Sequence, residues 1–149
     1  MVSRAQVSVE FLLVVGLAML LMTASTVAIY QFTQAETDNN NFAQVAGFGQ
    51  QILNQATNMY VYGQGSFVTV TGTLPQQIHQ AYIVDDVLIF ELTTRRGIVA
   101  VQLFSEVPIN GTTTGEKQYL NVSGTNIRQG TVDVRVESKG SYVQIRQLS

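Results

Sequence analysis

The chain has no cysteine and no tryptophan, one histidine, two prolines, and a charged share of only 12%. Without cysteine there are no disulfide staples, thiolate nucleophiles or cysteine zinc sites, so an exported form of this protein must hold together without bridges. A single histidine leaves little for imidazole metal binding or acid–base chemistry. The formal charge is −2, from 8 Lys and Arg against 10 Asp and Glu. No stretch gathers the lysines and arginines that counterion release from nucleic acid requires, so nucleic acid is not expected as a partner. The 149 residues suffice for one globular domain and one further element.

The charge deficit is local. No charged residue lies between Glu10 and Glu36, and 11–29 read FLLVVGLAMLLMTASTVAI. As a helix these residues span roughly 28 Å, close to the ~30 Å hydrocarbon core of a bilayer. The segment is apolar on every face, so lipid or other helices must surround it. The one charged side chain ahead of Glu10 is Arg4, which by the positive-inside rule places the N-terminus in the cytoplasm and the rest outside. Three readings compete for such a segment: a secretory signal peptide with a small-residue site at Thr26-Val27-Ala28, a plain uncleaved anchor, and a cleavable leader that leaves the apolar helix on the mature chain.

Residues 4–14, RAQVSVEFLLV, favour the third. A lone carboxylate at the edge of an apolar span is costly unless it is paired. Glu10 is fifth counting from Gln6, behind a short basic leader. This resembles the type III (class III) signal peptides of archaeal type IV pilin-like proteins, whose pattern is Gln-x-Ser-x-Glu-x-x-x-Leu with cleavage just before the Gln. Gln6, Ser8 and Glu10 match; the last position falls on Val14, a conservative departure flanked by Leu12 and Leu13.

The resemblance implies that a prepilin peptidase cuts between Ala5 and Gln6. Removing Arg4 leaves seven basic against ten acidic side chains, a formal charge of −3. It also implies a role for Glu10 in assembly: its carboxylate pairs with the new Gln6 amine of a neighbouring subunit, offsetting its burial and fixing axial register. A plainer role is an acid near a helix N-terminus, favoured by the macrodipole. The partners implied are further copies in a helical filament, the membrane before assembly, an assembly ATPase and a membrane platform protein.

Beyond the apolar core, Phe42, Val45, Ala46, Gly49, Ile52, Leu53, Ala56 and Met59 recur at spacings of three and four, the stripe of an amphipathic helix. The expected layout is a leader over 1–5, a long helix over 6–60 and a β-rich head over 61–149. The helix divides into an apolar half (11–30) and an amphipathic half (38–60). The run Asp38-Asn39-Asn40-Asn41 is poor in helix propensity and predicts a kink or short break, with Asp38 or Asn39 capping the second half.

From residue 60 the period turns to two. Strands are expected at 66–74, 81–84, 87–94, 98–104, 131–138 and 141–148, about seven in all. Tight turns fall at Asp85-Asp86 and Lys139-Gly140, a link at Thr94-Arg95-Arg96-Gly97, and the longest polar loop at 105–117. The fold expected is α+β: a long N-terminal hydrophobic helix followed by a small antiparallel β-sandwich or barrel, as in pilins.

Asn110-Gly111-Thr112 and Asn121-Val122-Ser123 are glycosylation sequons in or beside the expected loop. His79 has only Asp85 and Asp86 as near acids in sequence, both read as turn residues. Gly63-Gln64-Gly65 precedes a strand and is no phosphate loop, and no nucleophile motif is present. No enzyme, cofactor or metal site is expected. The function expected is a structural subunit of a surface filament outside the cell, its β head making adhesive or cell contacts. The alternatives are an archaellin-type motility subunit and a monomeric, membrane-anchored binding module.

Overall fold

The computed structural model describes residues 2–148 apart from 96, 114, 122–126 and 128; side chains are described from Val9 onward, except at 34 and 35. The chain divides into two compact units, Met1–Asn39 and Asn40–Ser149. One helix, α1 (Val2–Tyr62), begins in the first and ends in the second. It runs without a break through the Asp38–Asn41 stretch, where a kink or short break was expected. Those side chains are exposed or half-exposed and stay solvated. Their low propensity costs only a few tenths of a kcal/mol each, less than a second helix nucleation would. Asp38 and Asn39 therefore lie inside the helix and cap nothing.

In the first unit, every described side chain from Val9 to Thr33 is exposed except the half-buried Val15. In the second, Val45, Ile52, Leu53, Ala56 and Met59 of the stripe enter the core, and Phe48 beside the stripe enters with them. The helix stops at Gly63, whose φ of 89° suits glycine. The Gly63 amide donates to the Met59 carbonyl at 3.2 Å, and the Ser66 hydroxyl donates to the same carbonyl at 2.9 Å, a glycine-type C-cap.

Among the described residues eight strands follow: β1 (Phe67–Leu74), β2 (Ile78–Val84), β3 (Val87–Thr94), β4 (Gly97–Phe104), β5 (Ile109–Asn110), β6 (Gln118–Tyr119), β7 (Gly130–Ser138) and β8 (Val143–Gln147). They form two four-stranded sheets, β1-β7-β8-β5 and β4-β3-β2-β6. The α+β class and the helix-then-sheets order are as expected. Sequence periodicity did not find β5, which interrupts the supposed polar loop, β6, which directly follows it, or the first residues of β2. The pairing is not wholly antiparallel either, since β5 runs parallel to β8.

The turns follow local chemistry. Asp85 and Asp86 have φ of 48° and 63° and join Val84 to its partner Val87, a two-residue hairpin of the primed type that matches strand twist. The β7–β8 connection is longer than the two residues expected. Ser138 pairs with Val143, and the Lys139 amide donates to the Tyr142 carbonyl at 2.9 Å.

Both sheets supply the core in period-two fashion. Val132, Val134 and Val136 of β7 and Leu88, Phe90 and Leu92 of β3 are all buried. At one side the sheets are joined through Leu120, whose amide donates to Ala81 of the second sheet at 3.4 Å while its carbonyl accepts from Gln147 of the first at 2.8 Å. At the other side α1 fills the gap. Phe48 lies where a Gly72 side chain would begin, and Gly49 leaves room for Leu103 and for Phe90. The Gln44 side-chain amide donates to the Thr73 carbonyl at 2.8 Å.

Candidate functional site

Of the residues expected to take part in processing, Ala5, Gln6 and Ser8 lie in α1 by backbone, and their side chains are outside the described set. Glu10 is described and exposed. The helix that follows is long and apolar enough to cross a membrane by length and composition, and none of its most apolar stretch is covered by the rest of the chain. Val9, Phe11, Leu12, Leu13, Val14, Leu17, Met19 and Leu20 are each more than half exposed. Thr23, Ser25 and Thr26 donate to the carbonyls of Met19, Leu21 and Met22, each at 2.8 Å. Their hydroxyls are thereby satisfied within the helix, which lets polar residues sit in an apolar segment without water. The arrangement is a cylinder apolar on all sides with an acid at its head.

The sequons sit differently from expectation. Asn110 is half-buried in β5, opposite Gln144 of β8. The Thr112 hydroxyl donates to the Leu120 carbonyl at 3.2 Å. Asn110 is thus a strand residue, not a loop residue, because two backbone pairs to β8 order it. Asn121 is half-buried, and the remainder of its sequon lies outside the described residues.

A polar cluster on the outer face of the second sheet was missed by sequence reasoning. Gln80 is the cross-strand partner of Glu91, and the Gln80 side-chain amide donates to Glu91 Oε2. The Tyr82 hydroxyl donates to Glu91 Oε1 at 2.7 Å. Tyr119 packs edge-on to Tyr82, with ring centroids 5.9 Å apart, and Lys117 Nζ sits 4.6 Å from the Tyr82 ring centre. Burial pushes the Tyr82 phenol up, helped by its bond to Glu91 and the charge there, to about 12. Burial also pushes Glu91 up, but the Tyr82 and Gln80 hydrogen bonds and the charges of Lys117 and His79 outweigh it, and the net shift is downward. A carboxylate held ionised and a phenol held neutral make a cross-strand lock, with neither group poised to take or give a proton at neutral pH.

Asp86 also has a structural task. Its carboxylate accepts from the Ile109 amide at 2.8 Å, pinning the segment after β4. Among the described residues no group of three or more potential metal ligands comes together.

The chain matches no protein-family model, no curated protein and no solved structure.

Proposed function

We propose that the chain is the precursor of a structural subunit, a pilin, of an archaeal type IV pilus-like surface filament. The observation that carries this reading is the pairing of the Gln6-Ser8-Glu10 motif with a helix whose large apolar side chains are exposed between Val9 and Phe32. Fully burying one such Leu, Val, Phe or Met side chain is worth about 1.5–3 kcal/mol. A helix with this many uncovered side chains needs a bilayer before assembly and a bundle of like helices after it. In that bundle Glu10 pairs with the Gln6 amine of the next subunit, and the β head faces outward to make surface contacts. A prepilin peptidase, an assembly ATPase and a membrane platform protein are the partners this scheme requires.

The experiment is immunogold labelling of the host cell surface with antibody to the head, in wild type and in Glu10→Ala. Labelled filaments are expected in wild type. The variant should be processed yet assemble poorly; normal filaments from it would remove the pairing role of Glu10. Labelling spread evenly over the envelope in wild type would instead favour the membrane-anchored binding module.

A further inference from the structure

Sheet edges are usually guarded by charge, proline, bulges or a covering element. At the edge of the first sheet, the Thr73 carbonyl of β1 is taken by Gln44 of the helix. β4, the edge of the second sheet, reads GIVAVQLF. It carries no charge and no proline, its register with β3 is unbroken over eight residues, and among the described residues β3 is its one strand neighbour. Ile98 and Phe104 are 59% and 75% exposed.

The ladder fixes which backbone groups point outward. The Ser105 amide donates to the Asp86 carbonyl at 3.1 Å, which continues the β3–β4 register by one step. In an antiparallel pair, residues alternate between those bonded to the partner and those facing away. The odd-numbered residues of β4 are therefore bonded to β3, and Ile98, Ala100, Gln102 and Phe104 offer their N–H and C=O groups outward.

We propose that β4 is a self-pairing edge, and that its occupant is β4 of a second copy of this chain, antiparallel about a two-fold axis at Val101. Outward groups must meet outward groups, so the axis passes through a residue and not between residues. Centred on Val101, Ile98 meets Phe104 of the second copy and Ala100 meets its Gln102. The two most exposed apolar side chains of the strand then cover each other. Moving the axis to Ala100 or Gln102 sets one of them against glutamine or alanine instead.

The ends of the strand are charge-complementary in the same orientation. Arg95 stands in the turn that leads into β4, while Glu106 lies just beyond its far end, beside the Asp85-Asp86 turn, since Phe104 pairs with Val87. Antiparallel pairing brings the basic end of one copy to the acidic end of the other, twice, and parallel pairing would oppose like charges. This pairing does not rest on the filament reading. Subunits along one polar filament are related head to tail, whereas a two-fold contact is isologous. In a filament, β4 would therefore join copies from two filaments lying side by side in opposite directions.

The absence of native cysteine makes the test direct. Single-cysteine variants of the full chain in detergent micelles are oxidised, and dimer is read on a non-reducing gel. Val101→Cys should cross-link alone, and Ala100→Cys mixed with Gln102→Cys should cross-link as a pair. Each should exceed the exposed β3 control Thr93→Cys by about tenfold or more in rate, as expected for thiols held at high effective concentration. Arg95→Glu should slow the Ala100/Gln102 reaction and added Glu106→Arg should restore it. The 100/102 pair is exposed, so its outcome does not depend on core packing. Linking of both sets no faster than Thr93→Cys would overturn the proposal, as would fastest self-linking at 100 or 102. Filaments that form normally while these reactions fail would sink the edge pairing alone, and cross-linking without filaments would leave the pairing standing alone.

Discussion

The contact between Phe48 and Gly72 offers a demanding test of how the amphipathic half of α1 is held. Phe48 is 6% exposed, and its ring occupies the space where a side chain at position 72 would start, with the Cζ atom 2.9 Å from an ideal Cβ there. Phe48→Ala removes the ring and leaves a cavity; large-to-small changes of this kind cost about 3–5 kcal/mol. Against a total of ~5–15 kcal/mol for a domain, this should lower the melting temperature of the head by roughly 10–20 °C. Gly72→Leu forces a side chain into the ring and should itself cost about 1–3 kcal/mol. The double variant should be more stable than the sum predicts, because leucine at 72 grows into the space that phenylalanine vacated. A favourable coupling of about 0.5–3 kcal/mol is the range for residues that share one cavity. The assay is thermal unfolding of the full chain in detergent micelles, followed by tyrosine near-ultraviolet circular dichroism. Strict additivity, or a double variant worse than additive, would refute the claim that these two positions compete for one volume.

Further outcomes follow from other residues. Asp85→Gly should stabilise the hairpin by about 0.5–1 kcal/mol, because glycine adopts positive φ freely. Asp86→Gly should instead destabilise it, since the buried Ile109 amide loses its acceptor at about 1–3 kcal/mol; denaturant midpoints for the two variants should move in opposite directions. The folded pKa of Tyr82 is raised from 10.0 to about 12, so its contribution is fully present below 10.0 and is lost as pH rises towards 12. Tyr82→Phe should flatten that alkaline decline, and an unchanged profile of melting temperature against pH would contradict the lock. Glu91 is shifted the other way: its contribution is present above the unfolded carboxylate value and fades as pH falls through its lower folded value, so Glu91→Gln should weaken the acid dependence. Gly63→Ala, at a φ of 89°, should cost about 1 kcal/mol by straining the helix C-cap, measured in the same unfolding assay.

Periodicity made the large elements legible. All eight residues on the predicted helix stripe are buried or half-buried, Phe42 being packed against the edge of the core; Phe48 was missed because it falls beside the stripe, and only the close approach of Gly72 draws it in. The long strands showed their alternation, but β5 and β6 are two residues each, too short for any period, and are strands only because β8 and β2 happen to lie beside them. The Tyr82–Glu91 lock was invisible for a related reason. It depends on a register that shifts between Ile78 and Gln80, and one residue of slip moves a side chain to the opposite face. The Asp38–Asn41 run misled because propensity is local, whereas continuing a helix already formed on both sides needs no new nucleus. The expected leader rests on residue types and spacing alone, and its proposed chemistry would need a peptidase and neighbouring copies.

The central claim is that the chain matures by cleavage after Ala5 and works as an assembled subunit. N-terminal sequencing, with intact mass, of the protein taken from surface filaments of its native host tests it most directly. The account predicts a first residue of Gln6; a chain that begins at Met1 or at Ile29 would contradict it.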